Sequence, residues 1–468
     1  MLPEHSKLGP SESKDIDQQS PEDKKTVKAV MKEFEKCKRH RSKYDNNWLH
    51  YYKMFRGDQW DGIKMPKYRQ KECINLIWQA IQSNMPLQTD ARPRMNFVAE
   101  EPSDIEFAAV LNQVMEADWE RNNWLMPLSE MILDGYLYGQ GYGYIDYDPD
   151  AEFGMGSAEF ESEDPFYLYP DNEAREVNCK RSKSFFKAEP VDTDTLKKMY
   201  PDHEDHIKAD IVDDIQSSKT ALNDFSLKTS NADLQMPEST YYTGKQKASQ
   251  KTMLITAYLK PDETEEIEED ETSEDGTAET KIIVKKKYPY GRVLKIANGW
   301  ILEEKTLSES GRFPFIKYLN YILPREFFGI SEVEQLDSPQ RVFNKILNAS
   351  LEILNLMGNP IWVIDTASGV DPNKLINKTG LVIEKEPNSE VRREPGVQLS
   401  SAIFPMFDRI ENWFNSTAGS QEVSRGIAPS SVTASSAIEQ LMDASRTRIK
   451  QKQRNLDATI RDFGRHWV

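Results

Sequence analysis

Four stretches of this chain carry residue types that do chemistry in other settings. Gly139, Gly141 and Gly143 form a G-x-G-x-G. Glycines at such spacing cradle phosphates when they follow a strand and open a helix, because the helix N-terminus then faces the anion. Here they follow a helical pattern, Leu125 to Tyr138, and open an extended one, YGYIDYD. The order is reversed, so close packing at a turn is the expected role. Asp146, Asp148 and Asp150 alternate like a cation loop, but the glycine and closing glutamate of an EF-hand are not at the required offsets. Asp202 to His206 reads DHEDH, which offers two imidazoles at i, i+3 with no third ligand segment evident. RTRIKQKQR places Arg446, Arg448, Lys450, Lys452 and Arg454 at every second residue, so on a helix they point all round it. Two uses compete for that segment: contact with phosphates, or pairing with a neighbouring chain's acids such as Glu439 or Asp443.

Several chemistries lack their residues. There is no G-x-x-x-x-G-K-[ST], so nucleotide-driven work would fall to a partner. Spacing suggests no Ser/His/Asp or Cys/His set. Cys37, Cys73 and Cys179 are too few and too scattered for a disulfide frame or a zinc site, and read as buried thiols. The sequence implies no cofactor, no metal and no catalytic residue.

The balance of 60 Lys+Arg against 77 Asp+Glu gives a formal charge of -17 over 468 residues. Proteins that grip DNA through phosphates are basic, at least locally. A net-acidic chain can still handle DNA if it must not stick to it. Apolar residues make up 38% and mean hydropathy is -0.70, which fits an extended or oligomeric protein better than a compact enzyme. No apolar run approaches the roughly 18 residues of a membrane helix, and the first 25 or so residues lack the apolar core of a secretory signal. Assembly in the cytosol is the expectation, with no membrane partner.

The elements that must position these residues read as α+β. Residues 1–20 form a flexible arm. Ser20 caps a helix that starts at Pro21 and runs to about Phe55. Cys73–Asn84 reads as a buried helix, Arg92–Val98 as a strand. Ser103–Arg121 reads as an amphipathic helix with Ile105, Ala108, Ala109, Leu111, Val114, Met115 and Ala117 or Trp119 on or near one face. A helix near Thr193–Met199 lies within a polar excursion at 190–250. Met253–Leu259, Ile282–Lys286, Arg292–Ala297 and Trp300–Glu304 read as a small antiparallel sheet. Its first connection, at 261–279, reads as a solvated acidic loop, with 11 Asp+Glu between Asp262 and Glu279.

The organising stretch is helix, β insert, helix. In 331–357, Phe343, Leu347, Ser350, Leu354 and Met357 recur at heptad spacing, with Asn344, Lys345, Asn348, Glu352 and Asn355 off that seam. In 400–425, Ile403, Phe407, Ile410 and Phe414 repeat the rhythm. Phe343, Leu347, Leu354, Phe407, Ile410 and Phe414 are the expected packing residues. Between them, 358–399 holds two short apolar strands, Ile361–Ile364 and Leu381–Ile383, around a short helix at Lys374–Ile376. Such an insert is too small to hold a core alone, which argues for identical neighbours. A Gly/Pro/Ser loop follows at 426–436, then a last helix over 437–468.

The order of these parts resembles the portal proteins of tailed bacteriophages, most of all the short-tailed, podovirus-type branch. The residues that carry the likeness are YGQGYGYIDYD, FYLYPDNEAR, FPFIKYL, FGISEVEQL with QRVFNKILNASLEIL, GNPIWVID with GLVIEKEPN, and EVSRGIAPSSVTASSAIEQLMDASRTRIKQKQRN. They span roughly Tyr44 to Phe463. The resemblance implies a ring, a homododecamer, at one capsid vertex of the virion, assembled in the host cytoplasm. Residues 21–330 look like the wing, the paired helices like the stem and the insert like the clip, where terminase and later the head-to-tail adaptor dock. Residues 426–436 look like the tunnel loop, and the last helix runs towards the crown. Nothing matches a crown or helical barrel beyond it, so the end at Val468 reads as a stub or a fragment. The major capsid protein and a scaffolding protein are further implied partners, and double-stranded DNA passes through non-specifically.

On that reading Ser430, Ser431 and Thr433 are tunnel-loop contacts, with Arg446, Arg448, Lys452 and Lys345 as candidate phosphate contacts. Asp365, Asp371, Lys374, Asn377 and Lys378 of the insert are the docking candidates. Two other classes stand beside it: a metal-dependent nuclease or other soluble enzyme using the carboxylates at Asp146–Asp150, and a scaffold protein of another assembly.

Overall fold

The computed structural model describes residues 19–64, 66, 69–89, 95–154, 156–213, 249–261, 264–272, 278–286, 288–308, 310–358, 361–375, 382–384, 386–394, 401, 403–419 and 447–468. The first helix, α1 (Pro21–Arg56), starts where the sequence places it. The Asp23 amide donates to Ser20 Oγ at 3.0 Å, Pro21 fills the first turn, and Glu22 and Asp23 face the positive helix end. Gly57, at φ 93°, closes the helix. Because α1 has 36 residues, its buried stripe serves two cores. Val27, Val30, Phe34 and Cys37 pack on one sheet, while Trp48 and Met54 enter the main core.

That sheet has strand order β10-β9-β6-β4-β3, with β5 also on β6. Its strands are β3 (Leu168–Pro170), β4 (Ser184–Asp192), β5 (Ile211–Asp213), β6 (Ser249–Leu259), β9 (Arg292–Ala297) and β10 (Trp300–Thr306). Phe34 of α1 meets Tyr169 and Phe186 edge-on, at 5.0 and 5.5 Å between centroids. A second sheet, β11-β1-β2, joins β1 (Gln140–Asp148), β2 (Ser157–Glu163) and β11 (Phe315–Leu319). All described pairings are antiparallel.

The helices α2 (Leu76–Asn84), α3 (Pro86–Thr89), α4 (Ile105–Arg121), α5 (Leu125–Tyr138), α6 (Ala151–Gly154) and α7 (Thr193–Met199) complete this part. α5 lies on the β1 sheet, so the glycine triplet sits where two backbones touch. A Cβ on Gly141 would fall 1.8 Å from the Met131 carbonyl oxygen, and one on Gly139, at φ 90°, 2.4 Å from that of Gly329. The triplet is a packing device, as its helix-then-strand order requires.

Four expectations need correction. Residues 95–98 form no strand; the Phe97 amide and carbonyl instead bond the side chain of Asn112 at 2.7 and 3.1 Å. On α4 only Ala108, Met115 and Trp119 are buried, while Ile105 and Val114 are exposed. The acidic stretch is not a simple loop: β7 (Thr264–Thr272) pairs with β8 (Ala278–Lys286) as a separate two-stranded ribbon. In its backbone register position 265 stands opposite 285 and position 269 opposite 281. In the insert, β12 (Trp362–Ile364) pairs with β13 (Val391–Arg393), and the described residues near 381–383 are not in a strand.

The organising helices are α8 (Glu332–Gly358) and α9 (Ile403–Ala418), and the chain's final described helix is α10 (Thr447–Trp467). Residues 1–18 of the arm, 214–248 of the excursion and the whole tunnel-loop segment at 426–436 lie outside the described residues.

Candidate functional site

The candidate site is the α8–α9 hairpin, its root and its tip. The root is built around the α8 N-terminus. Ser331 Oγ accepts the Val333 amide at 3.0 Å and reaches the carbonyls of Tyr136 and Leu137 at the C-terminal end of α5, at 3.0 and 2.7 Å. The next residue, Glu332, is 1% exposed. Lys452 of α10 donates to its carboxylate at 2.6 Å, and Asn320 Nδ2 approaches the same oxygen at 3.4 Å. The Lys452 ammonium also lies 4.0 Å from the Tyr136 ring centroid and 4.8 Å from that of Tyr321. This corrects the reading of Lys452 as a phosphate contact: it is 2% exposed and ties α10 to the root of α8. Lys450 and Arg454 of the same run are exposed, on the face opposite Lys452.

Above the root, three polar residues spaced by four do unexpected work. Gln340 Oε1 accepts the Leu76 and Ile77 amides at 3.0 and 3.3 Å, and its Nε2 donates to the Ile74 carbonyl at 2.8 Å. Asn344 donates to Gln59 Oε1, and Asn348 both accepts from and donates to the Glu72 backbone at 2.8 Å. Gln340 and Asn348 thus bond the backbone of 72–77, an extended run that ends in the first two residues of α2, while Asn344 holds Gln59. Gln340 and Asn344 are 0 and 2% exposed, so Asn344 is off the apolar seam yet inside the protein. Their i, i+4, i+8 spacing was visible in the sequence; the partner segment was not. On the α1 side, Arg341 Nε donates to Asp337 Oδ1 at 2.9 Å, and His50 Nε2 lies 3.0 Å from that oxygen. Burial raises the Asp337 carboxyl, but the hydrogen bonds from His50 and Arg341 win and hold it below the ordinary carboxylate value.

The seam between the helices holds Phe343 against Phe407, 5.4 Å between centroids and edge-on. Ile410 and Phe414 are buried, Leu347 is half-buried, and Asn84 Nδ2 donates to the Ala418 carbonyl at 3.1 Å. Leu354 departs from its expected role: it is 49% exposed. Phe404, Met406 and Trp413 of α9 are also exposed, at 63, 47 and 60%. Lys345 is exposed on α8.

At the tip, Asp365 joins the ribbon ends: its amide donates to the Glu390 carbonyl at 3.0 Å, and its Oδ2 accepts the Glu390 amide at 2.6 Å. Asp371 Oδ1 accepts the Asn373 amide at 3.0 Å and caps a single helical turn, Pro372–Lys374. Both acids are exposed. Ile361, Val363 and Val382 expose apolar surface beside them. The structure does not describe Ser430, Ser431, Thr433, Arg446, Asn377 or Lys378, nor the side chains of Arg448 and Lys374.

The segments with metal-like spacing do other things. His206 stacks on Trp300 at 3.7 Å, Asp146 accepts the Tyr147 amide and the Tyr144 hydroxyl, and Asp148 accepts the Asp150 amide. Among the described residues no three His, Cys, Asp or Glu side chains are grouped to hold a metal ion. No described helix is long and apolar enough to cross a membrane. The arrangement thus offers a braced helical hairpin with an uncovered apolar surface and a small polar tip. Comparison with known proteins gives one family match, a model described as phage P22-like portal protein, over residues 31–468. No curated protein matches the chain.

Proposed function

This chain belongs to the phage P22-like portal protein family, and from that premise we propose how its parts serve the portal's task. The family is a structural one: its members stand at a capsid vertex, where the genome is packaged and ejected. We assign 21–330 to the wing, α8 and α9 to the stem, the β12–β13 insert to the clip, and 426–436 to the tunnel loop. Terminase and then the head-to-tail adaptor dock at the clip, with Asp365 and Asp371 as contacts.

One observation supports the ring above the others. The hairpin exposes Leu354, Met357, Phe404, Met406 and Trp413 along helices that are otherwise firmly rooted. Solvated helices do not gather large apolar groups on that scale without a partner. Identical neighbours arranged round an axis cover them all in the same way. The acidic balance of -17 keeps the passage from holding DNA, since like charge repels phosphates within about 8 Å at physiological salt. Negative-stain micrographs of the purified chain test the reading. Closed rings with a central hole, twelvefold in class averages, are the expected result, and a population of monomers at micromolar concentration contradicts it.

A further inference from the structure

A cavity of about 420 Å³ lies apart from the hairpin. It sits between α1 and the end of the larger sheet where β4 begins, β6 ends and β9 begins. That volume falls among small-ligand sites, which span about 300–1,000 Å³. Backbone bonds fix its wall. Asp171 Oδ1 accepts the Glu173 amide at 3.1 Å, and its Oδ2 accepts the Lys183 amide at 3.0 Å. The Lys260 amide donates to the Lys183 carbonyl at 2.9 Å. Gly291, at φ 103°, turns the chain into β9, and a Cβ there would fall 2.4 Å from the Leu259 carbonyl oxygen.

Two lysines of this lining stand side by side. The β4–β6 register, with Ser184 opposite Leu259, sets Lys183 opposite Lys260. Like charges so placed repel. Among the described residues neither has a carboxylate within ion-pair distance. Lys183 is exposed and Lys260 half-buried. The Lys260 ammonium donates to the Cys179 carbonyl at 2.9 Å and lies 5.1 Å from the Phe313 ring centroid. Burial, with Arg312 adding to it, holds its pKa below the ordinary lysine value. The carboxylates of the lining are mostly engaged. Glu33 holds Lys36 at 2.6 Å, and both Asp171 oxygens accept the amides named above. Glu173 remains, at the exposed rim.

We propose that this cavity binds a small phosphorylated molecule, with its phosphate held between Lys183 and Lys260. The inference does not depend on the ring. An oxyanion between two ammonium groups turns their repulsion into charge-assisted hydrogen bonds. An ammonium has three donors, and Lys260 gives one to Cys179. Arg292 has Glu304 at 3.8 Å and lies 5.0 Å from the Tyr288 ring centroid, so it serves as wall. Val30 and Leu259 supply apolar lining, which suits a ligand with an organic body better than a bare ion. Duplex DNA offers the same phosphate, but Glu33 and Glu173 beside the site oppose the further phosphates that a strand brings.

Isothermal titration calorimetry of the full chain tests this at a constant ionic strength of about 0.15 M. The probes are deoxyadenosine monophosphate, deoxyadenosine and a duplex of about 30 base pairs. The monophosphate should bind once per chain, and the nucleoside about tenfold or more weakly. Lys183→Met and Lys260→Met should each weaken the monophosphate by about tenfold or more, the loss of one charge-assisted bond. Lys183→Arg keeps the charge and should bind as wild type does. Circular dichroism checks the fold of Lys260→Met; Lys183 is exposed, so its variants decide the matter if that chain fails to fold. No saturable binding of the monophosphate, or binding that the methionine variants retain, overturns the site. A duplex that binds through these lysines while the monophosphate does not would assign them to DNA and overturn it too. None of these outcomes bears on the ring.

Discussion

At the scale of the residue, burial decides what a charge can do. Lys317 of β11 donates to the carbonyls of Arg175 and Phe327 at 3.1 and 3.0 Å and lies 3.7 Å from the Phe327 ring centroid. Burial pushes its pKa from 10.5 down to about 7. The folded value is then below the unfolded one, so between these two values the unfolded chain binds more protons. Stability therefore rises with pH across that window, and the cost of the buried charge is complete below it. Melting temperatures from pH 7 to pH 9.5 should rise more steeply for wild type than for Lys317→Met. Parallel curves would show that the ammonium is solvated. Lys452 teaches the same lesson about legibility. Cations at every second residue must point to several faces of a helix, but nothing local says which face is the protein's interior. Its partner, Glu332, lies 120 residues away. For Asn344 the place off the apolar seam was legible and its burial was not, since nothing local names the segment that an off-seam amide bonds. The glycines were readable because their meaning depends only on the order of the flanking elements.

Elements were legible where one periodicity runs long enough. The spans of α1, α5, α7 and α8 match the sequence within a residue or two, because caps and apolar stripes mark them. Strand partners were less so. Leu381–Ile383 reads as the second strand of the insert beside Ile361–Ile364, yet it is Val391–Arg393 that pairs with Trp362–Ile364, with Arg393 stacked over Trp362 at 5.6 Å. Backbone pairing needs no apolar side chain, so a short ribbon at a surface hides from pattern reading. The same holds for β7 and β8, whose pairing shows only in the register of their backbones. The small insert nonetheless carries a distinct prediction. Because the α8–α9 seam and the root lie outside it, deleting 365–379 should leave the wing folded and rings intact. Docking of terminase, and with it DNA packaging, should fall to background. A deletion that packages DNA normally would show that the clip assignment is wrong.

At the scale of the whole molecule the surplus of exposed apolar surface sets the strongest expectation. The hairpin and α4 expose it on separate elements, and both are anchored: α8 by Ser331, Glu332 and Gln340, α4 by Met115 and Trp119. Neither helix can turn its stripe inward without losing those contacts, so on the ring reading a neighbouring chain covers it. Association then stabilises the folded state by mass action, and stability depends on protein concentration. A hundredfold dilution within the range where the chains remain assembled removes about 2.7 kcal/mol per chain. For a chain of this size the melting temperature falls by a few degrees. The substitution Trp413→Asp places a charge in the covered surface. It should lower the melting temperature at high concentration and abolish the dependence on dilution, while the diluted protein melts as wild type does, since Trp413 is 60% exposed in the single chain. Scanning calorimetry of both proteins over two decades of concentration checks this. A wild-type melting temperature that ignores dilution would mean that these stripes stay open to water, and the geometric case for the ring would fail with it.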